Sequence, residues 1–300
     1  QADRGRSDAR QADASGAPQK KVLRPRQKRL ASQWLRECYR ISERRSCRLV
    51  PIYRSTMRYR ARPRNDEHHR IAIRDIARSR PRFGYKRILT LLRRQGHDIG
   101  KDKVYRIYRE EGLQVRTRRR RKTVARRRLS LPRPRGINRI WSMDFVHDQL
   151  ASGRKIRLLT VVDHFSRESV AIETGYALRA ADVTRTLARL KLTRGLPRVI
   201  LVDNGAEFSG NDLDRWAHEN GVQIHFIRPG KPTENAYIES FNGRLRDECL
   251  NANVFYDIEE ARKVVEQWRE DYNNWRPHSG LGNETPSEFA KRSEEAEDDF

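Results

Sequence analysis

Residues 201–210 read LVDNGAEFSG, a stretch that begins as a strand and ends as a turn. Val199, Ile200, Leu201 and Val202 form an apolar run of β-formers, which predicts a buried strand. The run stops on a carboxylate, Asp203, followed by Asn204, Gly205 and a second acid, Glu207. Asp-Asn-Gly is also ordinary turn chemistry, because Asn and Gly tolerate positive φ and Asp bonds the following backbone. An acid at the end of a buried strand nevertheless sits at a sheet edge, and it becomes a site if other carboxylates reach it.

The flanking sequence alternates strand and helix. IWSMDFVHDQL (140–150) and KIRLLTVVDHFS (155–166) read as two strands around the turn ASGR, and ESVAIET (168–174) as a third. AADVTRTLARLKL (180–192) is an amphipathic helix, RVILVD (198–203) the fourth strand, GNDLDRWAHEN (210–220) a helix and VQIHFI (222–227) the fifth strand. A long helix starts after PGKPTEN (229–235). Three meandering strands followed by helix, strand, helix, strand and helix predict an α/β fold, a mixed five-stranded sheet covered by helices. Asp144 falls midway along the first strand, so it can converge with Asp203 if the first and fourth strands are neighbours. In the long helix Ile238, Phe241, Leu245 and Cys249 form the buried stripe, and Asn235, Glu239, Asn242 and Arg246 form a polar row beside it. Glu239 follows Asp203 by 36 positions.

Charge divides the chain. Residues 1–140 hold 44 Lys plus Arg against 12 Asp plus Glu, net +32, whereas residues 141–300 are net −7, for +25 over 300 residues. A basic front of this strength is expected to bind a polyanion through counterion release. Residues 1–29 are polar and expected to be disordered. Residues 30–64 suggest an all-α helix-turn-helix unit: Trp34, Leu35 and Cys38 at helical spacing, Ser42 capping a second helix, and a third helix carrying Arg54, Arg58 and Arg60 toward a major groove. A second helical unit, 65–115, has an apolar stripe of Ile71, Ile73, Ile76 and Ala77. Its last helix turns Val104, Ile107 and Tyr108 inward, while Lys101, Lys103, Arg106 and Arg109 project elsewhere as DNA contacts. The linker 116–136, with Arg118, Arg119, Arg120 and Arg121, can lie along DNA. The catalytic core is expected over 137–290 and an acidic tail over 291–300.

Cys38, Cys47 and Cys249 lack zinc or disulfide spacing, and His68 and His69 read as an exposed pair on a basic helix. No apolar run approaches the 18 or so residues of a membrane span, and no secretory signal opens the chain; a reducing cytoplasm is the expected compartment.

WSMDF (141–145), VVDHFSRE (161–168), LVDNGAEF (201–208), RPGKPTENAYIESFNGRLRDECLN (228–251) and YNNWRPHSGLG (272–282) together resemble the catalytic domain of OrfB-type DDE transposases of the insertion-sequence-three family, relatives of retroviral integrases. The resemblance runs from about residue 40 to residue 290, with the five motifs in order, and RPRFGYKRI (80–88) and VYRIYREEGLQVRTRRRR (104–121) resemble the helical DNA-binding region of that family. It implies a ribonuclease H-like core whose acidic triad is Asp144, Asp203 and Glu239, holding two Mg²⁺ or Mn²⁺ ions. Asn204, Lys231, Asn235, Asn242 and Arg246 are expected to support the triad or contact the DNA end. Partners would be double-stranded DNA (the element's terminal inverted repeats and its target), a second copy of the chain on paired ends, and the protein of a short upstream frame, to which a chain opening on Gln1 would be fused or associated. Ala206, Glu234 and His164 depart from the family's usual Pro, Asp and Asp. A structure-specific nuclease of the same fold, or a non-catalytic DNA-binding regulator, are the competing readings; the tandem helical units weigh against the first and the intact acids against the second.

Overall fold

The computed structural model describes residues 24–60, 65–115, 134–205, 207–208, 210–227 and 235–298. The chain parts into two compact units, residues 1–65 and 66–300.

The first unit holds α1 (Pro25–Tyr39), α2 (Glu43–Leu49) and α3 (Arg54–Arg58). Helix α1 begins inside the stretch expected to lack structure. Pro25 stands at the first helical position, where its missing N–H is no loss, and Gln27 Oε1 accepts from the Arg24 backbone N at 2.9 Å. Trp34, Leu35 and Cys38 lie on this helix as their spacing indicates, with Trp34 and Cys38 exposed; the buried contact is polar, Ser32 Oγ to Ser46 Oγ at 2.9 Å. Ser42 caps α2 as the sequence indicates, accepting from Arg45 N. Helix α3 is five residues long and Arg60 lies beyond it, because the backbone turns extended at Tyr59. One turn of helix is short for reading a major groove.

The second unit opens with α4 (Glu67–Ser79), α5 (Tyr85–Arg94) and α6 (Lys101–Glu110), packed around Ile73, Ile76, Ile88, Leu92, Val104, Ile107 and Tyr108. Ile71 is not part of that stripe. It sits roughly 160° around α4 from Ile73 and is 49% exposed, while His69, expected at the surface, takes the inward position and is buried.

Five strands follow: β1 (Ile140–Gln149), β2 (Lys155–Asp163), β3 (Ser169–Gly175), β4 (Val199–Val202) and β5 (Gln223–Phe226), in spatial order β3-β2-β1-β4-β5. The first three pair antiparallel, and β1-β4 and β4-β5 pair parallel. The helices are α7 (Ala180–Thr193), α8 (Asn211–Glu219), α9 (Ala236–Glu248), α10 (Ile258–Asn274) and α11 (Pro286–Asp298), the last running through the expected core-to-tail boundary. This is the mixed sheet with flanking helices that a ribonuclease H-like core requires.

Strand period sorts the side chains to two faces. Trp141, Met143, Leu159 and Val161 pack in one apolar layer with Val183 and Leu187 of α7 and Leu213 of α8. Val146, Leu158 and Val162 pack in the other with Ile238, Phe241 and Leu245 of α9 and Val265 and Tyr272 of α10. Asp144 shares the second face by alternation, which turns it toward α9. Among the described residues no helix is long and apolar enough to cross a membrane.

Candidate active site

Register brings the first two acids together. The parallel β1-β4 ladder pairs Trp141 with Ile200 and Ser142 with Leu201. Continuing it two residues along both strands sets Asp144 beside Asp203, just where β4 ends and leaves the flank of β1 uncovered. Glu239 lies in the first turn of α9, near enough for its charge to be felt at Asp144.

Asp144 is the half-buried member. Its Oδ1 accepts from Phe145 N at 2.8 Å and its Oδ2 from Asn242 Nδ2 at 2.7 Å. Burial pushes its carboxyl up to about 6, the charges of Asp203 and Glu239 add to the rise, and the two hydrogen bonds oppose it. The shift reports that three carboxylates share one electrostatic neighbourhood. Thr160, cross-strand partner of Asp144, places its hydroxyl 3.0 Å from Asn242 Oδ1 and 3.1 Å from the Asp144 carbonyl.

Asp203 and Glu239 are exposed. Asp203 Oδ1 accepts from Gly205 N at 3.0 Å, a turn so close that a Cβ on residue 205 would stand 2.9 Å from that oxygen. Asn204 points away, donating to the Ile227 carbonyl at 3.1 Å and tying the loop to the end of β5. Glu207 is engaged elsewhere too. It pairs with Arg157 at 2.6 Å, which lowers its carboxyl, and that guanidinium lies over the Phe145 ring, itself stacked on buried Phe208. The second acid of the opening stretch therefore anchors the loop.

Of the remaining residues in the α9 row, Asn235 is buried at the N-cap position, without a partner for Oδ1 among the described residues, and Arg246 is exposed, with Nη2 3.3 Å from the His147 carbonyl. In the VVDHFSRE motif, buried Asp163 gathers the Phe165, Ser166 and Asn138 amides and the Trp141 indole, and so holds the start of β1 to the end of β2. His164 is buried against Ser142 Oγ and the Tyr237 ring, and burial followed by Arg167 brings it down to about 3.

Among the DNA-contact candidates, Arg54, Arg60 and Lys101 are exposed, Arg58 pairs with Glu43, and exposed Arg109 lies over the Tyr105 ring. Lys103 and Arg106 are held inward by Asp66, and Arg106 also by Glu110. These pairs bring the Asp66 carboxyl down to about 2. No sequence signal marks Asp66 as their partner, since it lies 37 and 40 positions away. Lys231, Arg118, Arg119, Arg120, Arg121, Ala206 and Glu234 lie outside the described residues.

Oxygen-only donors suit a hard divalent cation. Asp144, Asp203 and Glu239 offer only oxygens, raise the charge density around Asp144, and have no Lys or Arg ion-pair partner among the described residues. The residues fit such an ion by chemistry and charge. Their side chains stand apart, and no three His, Cys, Asp or Glu of the described residues are close enough to hold a metal as they are.

Comparison with known proteins agrees with this architecture. Two integrase core domain families match residues 134–232 and 220–286, and an HTH-like domain family matches 63–121, the helices α4 to α6. The insertion element IS407 uncharacterized 31.7 kDa protein of Burkholderia multivorans is 46% identical over 86% of this chain and 94% of its own length. The IS476 uncharacterized 39.2 kDa protein of Xanthomonas euvesicatoria is 41% identical over 95% of this chain and 83% of its own. The transposase InsF for insertion sequence IS3A of Escherichia coli K12 is 26% identical over 73% and 80%. A mixed sheet that sets Asp144 and Asp203 in adjacent register, an HTH-like segment ahead of it, and near full-length relatives at this identity lead to one assignment. The chain belongs to the OrfB-type DDE transposases of the insertion-sequence-three family, within the retroviral-integrase-like superfamily, and is a polynucleotidyl transferase.

Proposed function

We propose that this chain cleaves DNA at the ends of an insertion sequence and joins those ends to target DNA, using Asp144, Asp203 and Glu239 as a metal-dependent triad. The observation that carries the reading is the β1-β4 register, which sets Asp144 beside Asp203, with α9, the helix of Glu239, tied to Asp144 through Asn242. Three carboxylates on separate elements, without cationic partners among the described residues, make a site that divalent cations complete. Two Mg²⁺ or Mn²⁺ ions, when bound, would neutralise these charges, polarise the scissile phosphate and favour an attacking oxygen.

The chain's own side chains supply orientation. Asn242 and the Phe145 amide fix the Asp144 carboxylate, Thr160 fixes Asn242, and the Gly205 turn holds Asp203 at the strand end. Exposed Glu239 and Arg246 share one face of α9, where Arg246 is placed to contact a DNA end. The surplus charge of residues 1–140 accounts for binding duplex DNA, both the terminal repeats and the target. A second copy on paired ends and the upstream-frame protein complete the proposed assembly.

The test is an end-cleavage and joining assay with a duplex carrying the element's terminus, run with Mg²⁺ or with chelator. Parent protein should act only with metal. Asp144→Asn, Asp203→Asn and Glu239→Gln should each abolish both steps while retaining DNA binding; strand transfer by any of the three removes the assignment.

A further inference from the structure

The side of α9 opposite the carboxylate row borders a second charged site. Tyr237, Ser240 and Arg244, at i, i+3 and i+7, line one wall of a cavity of about 320 Å³, and Arg87 of α5, Arg167 of the β2-β3 turn and the Arg276 and His278 side chains that follow α10 line the rest. Four guanidinium groups therefore meet in one hollow. Among the described residues a single carboxylate answers them: Glu248 accepts from Arg276 at 2.6 and 2.8 Å and stands 3.9 Å from Arg87. Arg244 has no ion pair among the described residues.

Polar atoms at the wall also lack partners. Arg167 stacks on the Tyr237 ring at 3.5 Å, and its buried Nη1 has no acceptor among the described residues. His278 is only 7% exposed and its Nε2 has no partner among the described residues. Crowding has an electrostatic signature: burial, then Arg276 and Arg244, brings Arg87 down to about 10, and burial followed by Arg276, Arg244 and Arg87 brings His278 down to about 2. Uncompensated cations beside an unpaired N–H donor describe a site that an anion completes.

We propose that this hollow binds a phosphodiester group of the DNA backbone, on the side of α9 away from Glu239. Planar guanidinium forks match phosphate oxygens in pairs, and the Ser240 hydroxyl adds a neutral donor. Arg87 belongs to the HTH-like segment and Arg244 and Arg276 to the catalytic segment, so one phosphate is held by both. The phosphate then fixes the DNA path at about one helix diameter, 10–12 Å, from the triad. The inference rests on the reading above only in taking DNA as the substrate.

The test is binding of a duplex of about 30 base pairs by the full chain, in chelator, across a KCl series, so that no cleavage is needed and the triad is not at issue. Arg244→Gln and Arg167→Gln should each lower the slope of log K against log salt by about 0.9 and weaken binding about tenfold at fixed salt. Arg215→Gln on α8, whose exposed guanidinium is already paired with Asp212, should keep the parental slope, as should Arg244→Lys. Without DNA, Arg244→Gln should melt at or above the parental temperature, because a like charge has left a crowded site. Parental slopes in both Gln variants overturn the proposal, and so does a lowered melting temperature with affinity lost equally in Arg244→Lys and Arg244→Gln. Inorganic phosphate at matched ionic strength separates the sources: if it raises the melting temperature of the parent but not of Arg244→Gln while the DNA slopes stay equal, the hollow takes a free anion and the proposal fails.

Discussion

Asn242 of α9 donates from Nδ2 to Asp144 Oδ2 at 2.7 Å, bridging the helix and the central strand. The amide cannot turn over without losing the Thr160 hydroxyl, 3.0 Å from its Oδ1. Asn242→Ala should lower end cleavage by about 10–100-fold, the usual cost of removing a group that orients a metal-bearing ligand. Thr160→Val should lower it less. Single-turnover rates at saturating Mg²⁺ measure both, and an unchanged rate in Asn242→Ala contradicts the orienting role.

The carboxyl of Asp144 sets a pH dependence. Its folded value, about 6, lies above its ordinary 3.8. The folded chain therefore holds this proton more tightly than the unfolded chain. The stability it contributes is complete below pH 3.8, fades between 3.8 and 6, and is gone above. Asp144→Asn should raise the melting temperature of the metal-free protein near neutral pH and progressively less toward about pH 4. The gain has a ceiling on the order of 3 kcal/mol, about two pK units at roughly 1.4 kcal/mol each, reduced by the hydrogen bond that an amide cannot accept. Melts across this range check it; a variant less stable than parent near neutral pH is the contrary result.

Gly205→Ala should reduce cleavage with little effect on the fold. A Cβ there would stand 2.9 Å from Asp203 Oδ1 and 3.3 Å from Glu207 Oε2, so the Asp203 carboxylate must shift. A melting temperature near that of the parent, together with weakened Mn²⁺ affinity, is the expected pair of readings. Parental metal affinity would show that the turn tolerates the methyl group.

On α9 itself, the buried and exposed rows should separate by assay. Phe241 is fully buried against Tyr272 and Trp268, and Phe241→Ala should cost about 3–5 kcal/mol. Arg246 is exposed, with one long contact at 3.3 Å to the His147 carbonyl. Arg246→Ala should cost no more than about 0.5 kcal/mol yet lower end cleavage. Urea melts and cleavage rates on the two variants decide this, and an early-melting Arg246→Ala would put that side chain in the packing.

The catalytic half was legible because its signals are local. The apolar run 199–202 and the stripe Ile238, Phe241, Leu245 and Cys249 give strand and helix by period alone, and Asp203 and Glu239 fall where those elements end or begin. What escaped reading depends on contacts between distant segments. Glu207 gives no sign that it pairs with Arg157, 50 positions away, nor Lys103 and Arg106 that Asp66 holds them inward. In α4, Ile73, Ile76 and Ala77 pack inward as their spacing indicates, but Ile71 does not, because helix geometry aligns His69 rather than Ile71 with Ile73 and Ile76. Arginines far apart in sequence meet around Arg244 only through the packing of α5, α9 and the segment after α10.

If Asp144, Asp203 and Glu239 hold divalent cations jointly, metal binding must weaken when any one of them is changed. Mn²⁺ binding by electron paramagnetic resonance, with Mg²⁺ competition and no DNA present, tests it most directly. The parent should bind Mn²⁺ competitively with Mg²⁺ and release protons at about pH 6 as Asp144 gives up its proton. Asp144→Asn, Asp203→Asn and Glu239→Gln should each weaken binding by at least about tenfold. Undiminished Mn²⁺ binding in any one of the three would remove that residue from the site, and undiminished binding in all three would contradict the account.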